Sequence, residues 1–132
     1  MRGENRYTAE IESLAFGGEG VARLDGCVVF VPGVLPGEKV LFRIAAARES
    51  YARGELLELL EPAADRIEPV CPFMIRPRGI GPCAPPVCPG CAYGHLPYAR
   101  ELAVKQAQFR DALIRLGGVA NPVFRPPLAS PQ

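Results

Sequence analysis

The sequence lacks the features that place a chain in or across a membrane. None of its apolar runs approaches the roughly 20 residues that a transmembrane helix needs. The opening residues MRGENRYTAE contain no apolar core of a signal peptide. We therefore expect a cytoplasmic protein with no membrane partner. In that reducing compartment, clustered cysteines usually bind a metal or carry out redox chemistry, and structural disulfides are rare.

A large excess of one charge is also missing. The formal net charge is +1 over 132 residues, whereas a nucleic-acid-binding domain is often strongly basic. The charges are unevenly divided, because residues 1–61 carry 7 Lys/Arg and 10 Asp/Glu, while residues 62–132 carry 8 and 4. The second part is the better candidate for contact with a polyanion, but composition alone does not establish RNA binding.

A glycine-rich nucleotide loop and an internal repeat are absent as well. Gly17-Gly18-Glu19-Gly20 is the densest glycine cluster, but the helix that a phosphate-binding loop requires does not follow it. The cluster is better explained as a turn or bulge between strands. It is therefore rejected as a nucleotide-binding site.

The first half of the chain has the pattern of short strands. Residues alternate between apolar and polar, as half-buried strands do, and turn signals such as the hairpin dipeptide Asp25-Gly26 separate the segments. The predicted strands are residues 7–14, 20–24, 27–31, 39–46 and 51–60. Five short strands in about sixty residues predict a small closed barrel of the OB type. The run LLELLEP at the end of the last segment also fits a helical period.

The middle of the chain, residues 62–97, is rich in proline and cysteine. Proline removes backbone donors, and a segment without its own core needs a cross-link to hold a shape. Cys88-Pro-Gly-Cys91 is the sharpest signal, because two thiolates at this spacing can converge on one metal or cluster. Cys71 and Cys83 complete a candidate four-thiolate site. Iron–sulfur clusters and structural zinc share this ligand set, so the spacing does not choose between them.

The remaining cysteine and the single histidine are interpreted as structural. Cys27 lies in the apolar strand CVVFV, where a buried and inert thiol is expected. His95 follows Cys91 closely enough to join a metal site. A structural or RNA-facing role is the favoured interpretation for it.

From Pro97 onward the pattern is helical, since proline suits the first turn of a helix. Tyr98, Leu102, Phe109, Leu113 and Leu116 recur at steps near 3.6 and form one apolar stripe, and Gly117-Gly118 predicts the helix end. The tail has no pattern and is expected to be extended. The predicted organisation is a barrel over residues 1–62, a cysteine-rich loop over 63–97, an amphipathic helix over 98–118 and a tail over 119–132.

Barrels of the OB type bind single strands with an electropositive groove and aromatic stacking platforms. Phe16, beside the glycine cluster, is one candidate platform. The candidate RNA contacts are Arg23, Arg43, Arg48, Tyr51 and Arg53 of the barrel and Lys105 of the helix. The alternative is that the arginines form a solvated face and that Tyr51 belongs to the core.

At this point the sequence resembles a known family. The stretch IESLAFGGEGVARLDGCVVFVPGVLPGEKV is similar to the TRAM domain at the start of bacterial 23S rRNA uracil-5-methyltransferases, and DRIEPVCP, CPGCAYGHLPYARELAVKQ and LGG follow in that family's order. The resemblance covers residues 6–118. It implies a five-stranded OB-like barrel that binds RNA, with 23S rRNA as the expected partner and no DNA. It also implies a 4Fe–4S cluster, for which Cys71, Cys88 and Cys91 match the ligands.

The sequence departs from the family in two respects. Residues 73–87 form a long proline-rich insertion between the first ligand and the pair, and the distant fourth cysteine does not occur, so Cys83 is the candidate substitute. The catalytic residues and the S-adenosylmethionine site of the family lie beyond residue 132 in relatives. We therefore expect no methylation by this chain alone, and a separately encoded methyltransferase domain is one potential partner.

Three functional hypotheses follow. The leading one is the RNA-binding, 4Fe–4S-bearing N-terminal module of an S-adenosylmethionine-dependent rRNA uracil-5-methyltransferase. The alternative is a stand-alone TRAM-type RNA-binding protein whose metal knuckle, with zinc or iron–sulfur, serves only folding. A small iron–sulfur electron carrier ranks last, because ferredoxins have more regularly spaced cysteines and rarely a preceding barrel.

Overall fold

A computed structural model describes residues 5–71, 73–74 and 91–131. Within these ranges the chain forms six strands followed by one helix. The elements are β1 (Arg6–Glu10), β2 (Ser13–Leu14), β3 (Gly20–Leu24), β4 (Cys27–Val31), β5 (Lys39–Ala47), β6 (Tyr51–Glu61) and α1 (Tyr98–Arg115). The prediction of a mainly β chain with one C-terminal helix is confirmed. The ambiguous run LLELLE belongs to β6 and is extended.

The strands form one sheet in the order β1-β5-β6-β4-β3-β2. Neighbouring strands are antiparallel except for β4 and β6, which are parallel. The hairpin between β3 and β4 turns at Asp25 and Gly26, whose φ angles of 50° and 80° are both positive. Two positive φ angles are what the predicted Asp-Gly hairpin turn requires.

The predicted number of strands was wrong, because the first segment is divided at Ile11. The backbone of Ile11 donates to Glu38 at 2.8 Å and accepts from Gly37 at 2.8 Å, whereas the next residue, Glu12, donates to Val21 at 2.8 Å. The chain therefore changes its partner from β5 to β3 at this point. The resulting edges of the sheet, β1 and β2, are joined by the chain and not by a ladder. The sheet formed by the described residues is therefore open, whereas a closed barrel was predicted. We call the six strands the barrel below.

The main core lies on the inner side of this curved sheet. Alternate strand residues point to opposite faces, and the inward ones are apolar and nearly inaccessible. The core residues are Ile11, Ala22, Val29, Val31, Val34, Val40, Phe42, Ala52 and Leu56. Gly20 is needed beside them, since a Cβ at this position would lie 2.1 Å from Val34 Cγ2.

Helix α1 contacts the barrel mainly through polar side chains. Arg100 pairs with Asp65 and also donates to the carbonyl of Pro36 at 3.4 Å. One turn later Val104 packs against a second small cluster of Leu14, Leu35 and Leu96. One further turn along, Gln108 donates to the carbonyls of Leu14 at 3.1 Å and Ala15 at 2.8 Å. No residue of the helix is buried.

The predicted apolar stripe of the helix faces the tail and solvent. Phe109 is 58% exposed and forms an edge contact with Phe124, with 5.6 Å between ring centroids. Tyr98 accepts a hydrogen bond from the backbone of Ser130 at 2.8 Å. Leu116 caps the helix, and Gly118 follows with a φ of 68°, as the glycine pair predicted. In the described part of the chain, no helix is both long and apolar enough to span a bilayer.

Candidate nucleic-acid interface and cysteine segment

Three neighbouring strands carry polar and aromatic side chains on the side of the sheet opposite the core. We call this surface the outer face, and it consists of Val21, Arg23, Val28, Phe30, Tyr51 and Arg53. In the ladder, Val21 lies opposite Phe30 and Arg23 opposite Val28. The parallel pairing sets Val28 beside Tyr51 and Phe30 beside Arg53. Two rows of side chains therefore cross β3, β4 and β6.

An aromatic pair occupies the centre of the outer face. The rings of Phe30 and Tyr51 meet edge to face, with 5.7 Å between centroids. Arg53 lies beside them, and its pKa is raised above the ordinary value, chiefly by its hydrogen bond to Glu19 and to a lesser extent by Tyr51. Partly exposed aromatic rings beside a guanidinium are groups that bind stacked bases and phosphates. Tyr51 is half-buried, so it is neither a free side chain nor part of the core.

The predicted arginines are exposed but carry carboxylate partners. The ion pairs are Arg23 with Glu12 at 3.2 Å, Arg43 with Glu55, and Arg53 with Glu19 at 2.6 Å. Exposed pairs contribute only about 0–1 kcal/mol, so a phosphate can replace the carboxylate at small cost. Arg48, in the turn before β6, is exposed and forms no ion pair with the residues that the structure describes.

The six predicted RNA contacts therefore lie in three places. Arg23, Tyr51 and Arg53 belong to the outer face, and Arg43 extends it onto β5. Arg48 lies at the end of that face, where its backbone donates to Tyr51 at 2.8 Å. Lys105 is on the helix, 2.8 Å from Glu101 and 4.9 Å from the ring centroid of Tyr93. Its hydrogen bond to Glu101 raises the pKa of Lys105.

The glycine turn, residues 15–19, borders the outer face. Its backbone is closed by bonds from Ala15 to Glu19 at 2.8 Å and from Gly18 to Ala15 at 2.9 Å. Gly17 and Gly18 both have a φ of 96°, a conformation that side chains disfavour. Phe16 projects from this turn and is 95% exposed.

A buried ion pair joins the barrel to the start of the cysteine-rich loop, residues 63–97, which we call the cysteine segment. Glu38 is fully buried, and its carboxylate accepts two bonds from Arg66 at 2.8 Å, one from the backbone of Leu35 at 2.6 Å and one from Ala63 at 3.0 Å. Burial raises the pKa of Glu38, but these donors outweigh burial and hold it below the ordinary 4.5. Arg66 also donates to the carbonyl of Gly33 at 2.6 Å.

Sequence reasoning missed Glu38 and Arg66. A signal for the first was available, because Glu38 directly precedes β5 and continues the alternation of the inward-facing Val40 and Phe42. A carboxylate on a core-facing position demands a buried cation or several donors. No comparable signal identifies Arg66, since its segment has no regular pattern.

His95 is the second contact between the barrel and this segment. Its Nε2 lies 2.8 Å from the carbonyl of Val34 and donates to it, while its own carbonyl accepts from the backbone of Ile67 at 3.1 Å. Burial lowers the pKa of His95 below 6.5, so the ring is neutral at neutral pH. Nδ1 has no hydrogen-bond partner among the described residues. His95 therefore makes a structural contact, which is one of the two roles that the favoured interpretation allowed.

Of the four predicted metal ligands, Cys71 and Cys91 fall within the described residues, and Cys83 and Cys88 lie outside them. Cys71 is half-buried, Cys91 is exposed, and both are free thiols. Their segments are neighbours, because a Cβ at Gly94 would lie 2.6 Å from the sulfur of Met74. Within the described ranges there is no group of three or more potential metal ligands.

The prediction for Cys27 was wrong. This cysteine is exposed at the first position of β4, and its thiol lies 3.7 Å from the carbonyl of Val28. The hairpin turn at Asp25 and Gly26 places it at the edge of the strand.

Comparison with known proteins shows what this chain is similar to. Residues 3–57 match the model of the TRAM domain. An uncharacterised RNA methyltransferase of Gloeobacter violaceus is 36% identical over 95% of this chain and 25% of its own length. The 23S rRNA (uracil(1939)-C(5))-methyltransferases RlmD of Nitrosococcus oceani and Acidithiobacillus ferrooxidans are each 39% identical, over 91% and 92% of this chain.

The chain spans about a quarter of the length of these relatives. Among solved structures, a conserved protein of Methanococcus maripaludis is 37% identical, covers 41% of this chain and 77% of its own, and superposes with a TM-score of 0.40. The chain thus contains a TRAM domain at residues 3–57, and it is homologous over about nine-tenths of its length to part of the 23S rRNA (uracil-C5)-methyltransferases.

Proposed function

We propose that this chain is the RNA-binding and metal-bearing module of an enzyme that methylates C5 of a uridine in 23S rRNA. The observation that carries the proposal is the outer face of the TRAM domain, where the aromatic pair of Phe30 and Tyr51 shares two rows of side chains with Arg23 and Arg53. The two RlmD relatives are named for this reaction. Because the chain spans a quarter of their length, catalysis and S-adenosylmethionine binding are assigned to the rest of such a protein.

In this proposal the outer face binds an unpaired stretch of RNA. Bases stack on the aromatic pair, and phosphates take over the guanidinium groups from their carboxylate partners. The partner carboxylates lower the affinity for RNA, which is a reason for weak binding by the module alone. RNA is favoured over DNA by the names of the relatives.

The test is the salt dependence of binding to rRNA. Purified chain is titrated into a fluorescent 23S rRNA fragment at about 50 and about 200 mM salt, and the affinity is expected to fall steeply between them. Replacing Arg23 and Arg53 together by glutamine should lower the slope of log affinity against log salt by about 0.7 for each phosphate that the variant no longer neutralises. Arg115→Gln, near the end of α1, is the matched control. Binding that is absent, or indifferent to salt, contradicts the proposal.

The second part of the proposal concerns the cysteines. Cys71 and Cys91, with Cys83 and Cys88 from outside the described residues, would hold a 4Fe–4S cluster, with zinc as the alternative. The two described thiols are free and lie on neighbouring segments. Such a centre would cross-link a segment that has little core of its own. It would thereby keep Ala92 in contact with the glycine turn.

Elemental analysis after anaerobic purification tests the metal proposal. Iron with inorganic sulfide and a brown colour supports the cluster, whereas zinc without iron supports the structural alternative. Cys91→Ser should lose the metal, while Cys27→Ser, at an exposed thiol of the barrel, should retain it. Metal-free protein from every preparation would refute this part and leave the RNA-binding part standing.

A further inference from the structure

Phe16 is unusual among the exposed apolar side chains of this protein. Its ring is 95% exposed, although a buried aromatic side chain contributes strongly to folding stability. Of the other apolar residues that are at least 88% exposed, Val123 and Leu128 lie in the irregular tail, Val70 lies in an irregular segment, and Leu116 is aliphatic and caps α1. Phe16 instead lies in a closed turn with defined backbone bonds. The structure therefore exposes it from a fixed position.

Three separate parts of the molecule hold this turn. Gln108 of α1 donates to the carbonyl of Ala15 at 2.8 Å, which is the residue before Phe16. Ala92 of the cysteine segment is in tight contact with Gly18, since a Cβ there would lie 2.9 Å from that of Ala92. Arg53 of β6 binds Glu19 at 2.6 Å. Each of these interactions reduces the freedom of the turn, and none of them covers the Phe16 ring.

The turn also adjoins the aromatic part of the outer face. Arg53 links the two, because the same guanidinium that binds Glu19 lies beside Phe30 in the ladder and interacts with Tyr51. Phe16 thus belongs to a turn that contacts, through Glu19 and Arg53, a surface with two aromatic rings and several cations.

We infer that Phe16 is a preorganised stacking platform for one unpaired base of the RNA. The inference rests on the proposed RNA-binding function and adds to it one specific contact, that of Phe16 with a single unpaired base. Stacking on an aromatic ring requires that the base be out of a duplex. A ring on a turn that is held from three sides gives up little conformational freedom on binding, which favours affinity.

The test compares two RNA probes and three variants. The probes are a single-stranded RNA of about 12 nucleotides and a duplex of the same length. Phe16→Ala should bind the single strand about 5- to 100-fold more weakly than the unchanged protein, with no change for the duplex. Phe16→Trp should retain tight binding, because it preserves the stacking surface. Leu128→Ala, which removes a side chain that is 98% exposed, is the control and should bind like the unchanged protein.

The outcomes separate this inference from the proposal beneath it. Salt-sensitive binding that Phe16→Ala leaves unaltered refutes the platform and preserves the RNA-binding function. Equal losses on single strand and duplex also refute stacking. If the unchanged chain binds neither RNA in a salt-dependent manner, both ideas fail. Because Phe16 is exposed, its alanine variant should unfold at the same temperature as the unchanged protein, and circular dichroism checks this.

Discussion

The sheet and the helix of this protein are held in place by different kinds of interaction. The sheet buries a continuous apolar core that includes Phe42, whereas α1 buries no residue and contacts the barrel through side chains such as Arg100 and Gln108. Apolar burial is strong and has little directional preference, while hydrogen bonds contribute less but fix orientation. The sheet therefore supplies stability, and the helix supplies position. Four predictions test this difference between the sheet and the helix.

The largest effect is expected from the core. Phe42→Ala removes a fully buried ring and should lower the free energy of unfolding by about 3–5 kcal/mol. Phe109→Ala, a matched change on the helix at a ring that is 58% exposed, should cost less than about 1 kcal/mol. Urea denaturation of both variants measures the difference. Similar losses would show that the helix is part of the main folding core.

The next largest effect concerns the buried ion pair. Glu38→Gln leaves Arg66 with an uncompensated charge and should destabilise the protein by about 3 kcal/mol. Glu12→Gln, which breaks the exposed pair with Arg23, should change the free energy of unfolding by less than about 1 kcal/mol. Chemical denaturation at neutral pH compares them. A small effect of Glu38→Gln would mean that the two segments are held together by other contacts.

Acid should weaken the same junction in two stages. The pKa of His95 lies below 6.5 in the folded chain, so its contribution is complete above pH 6.5 and declines as the pH falls towards the folded-state value. The pKa of Glu38 lies below 4.5, so its contribution declines only at still lower pH. Unfolding followed across this range should show both stages. His95→Gln should remove the first, and stability that rises on acidification would contradict the prediction.

The smallest effect is expected for the polar contact of the helix. Gln108→Ala removes bonds to two carbonyls and should lower the free energy of unfolding by about 1 kcal/mol. It should also increase hydrogen exchange in the glycine turn, because the helix then no longer holds the turn. Gln106→Ala, on the same helix, is the control. Unchanged exchange in the turn would show that Gln108 does not fix it.

The strands were predictable because each follows the alternation that a half-buried sheet imposes. The segments 20–24 and 27–31 were predicted with the observed boundaries. The break at Ile11 was not, because the change of partner from β5 to β3 depends on where Glu38 and Val21 lie in space. Local alternation continues through residue 14 and carries no information on which strand each half pairs with.

The candidate site was predictable in part. Sequence reasoning selected Tyr51 and Arg53 but overlooked Phe30, which faces outward in a strand that contains only apolar residues and cysteine. The direction of a side chain in such a run becomes clear only when the register with the neighbouring strands is known. The helix shows the converse, since its most apolar stripe was visible but does not face the barrel.

Local sequence patterns were sufficient to predict the mainly β fold, the hairpin at Asp25 and Gly26, and the span and end of the helix. These features depend on alternation and on backbone conformations within a few neighbouring residues. Contacts between side chains that are far apart in the sequence depend on the tertiary structure. Glu38 with Arg66, and Phe30 with Tyr51, are about twenty to thirty residues apart, and no local pattern encodes their approach. The physical reason is that partners for buried charge and for aromatic rings are selected by the packing of whole strands.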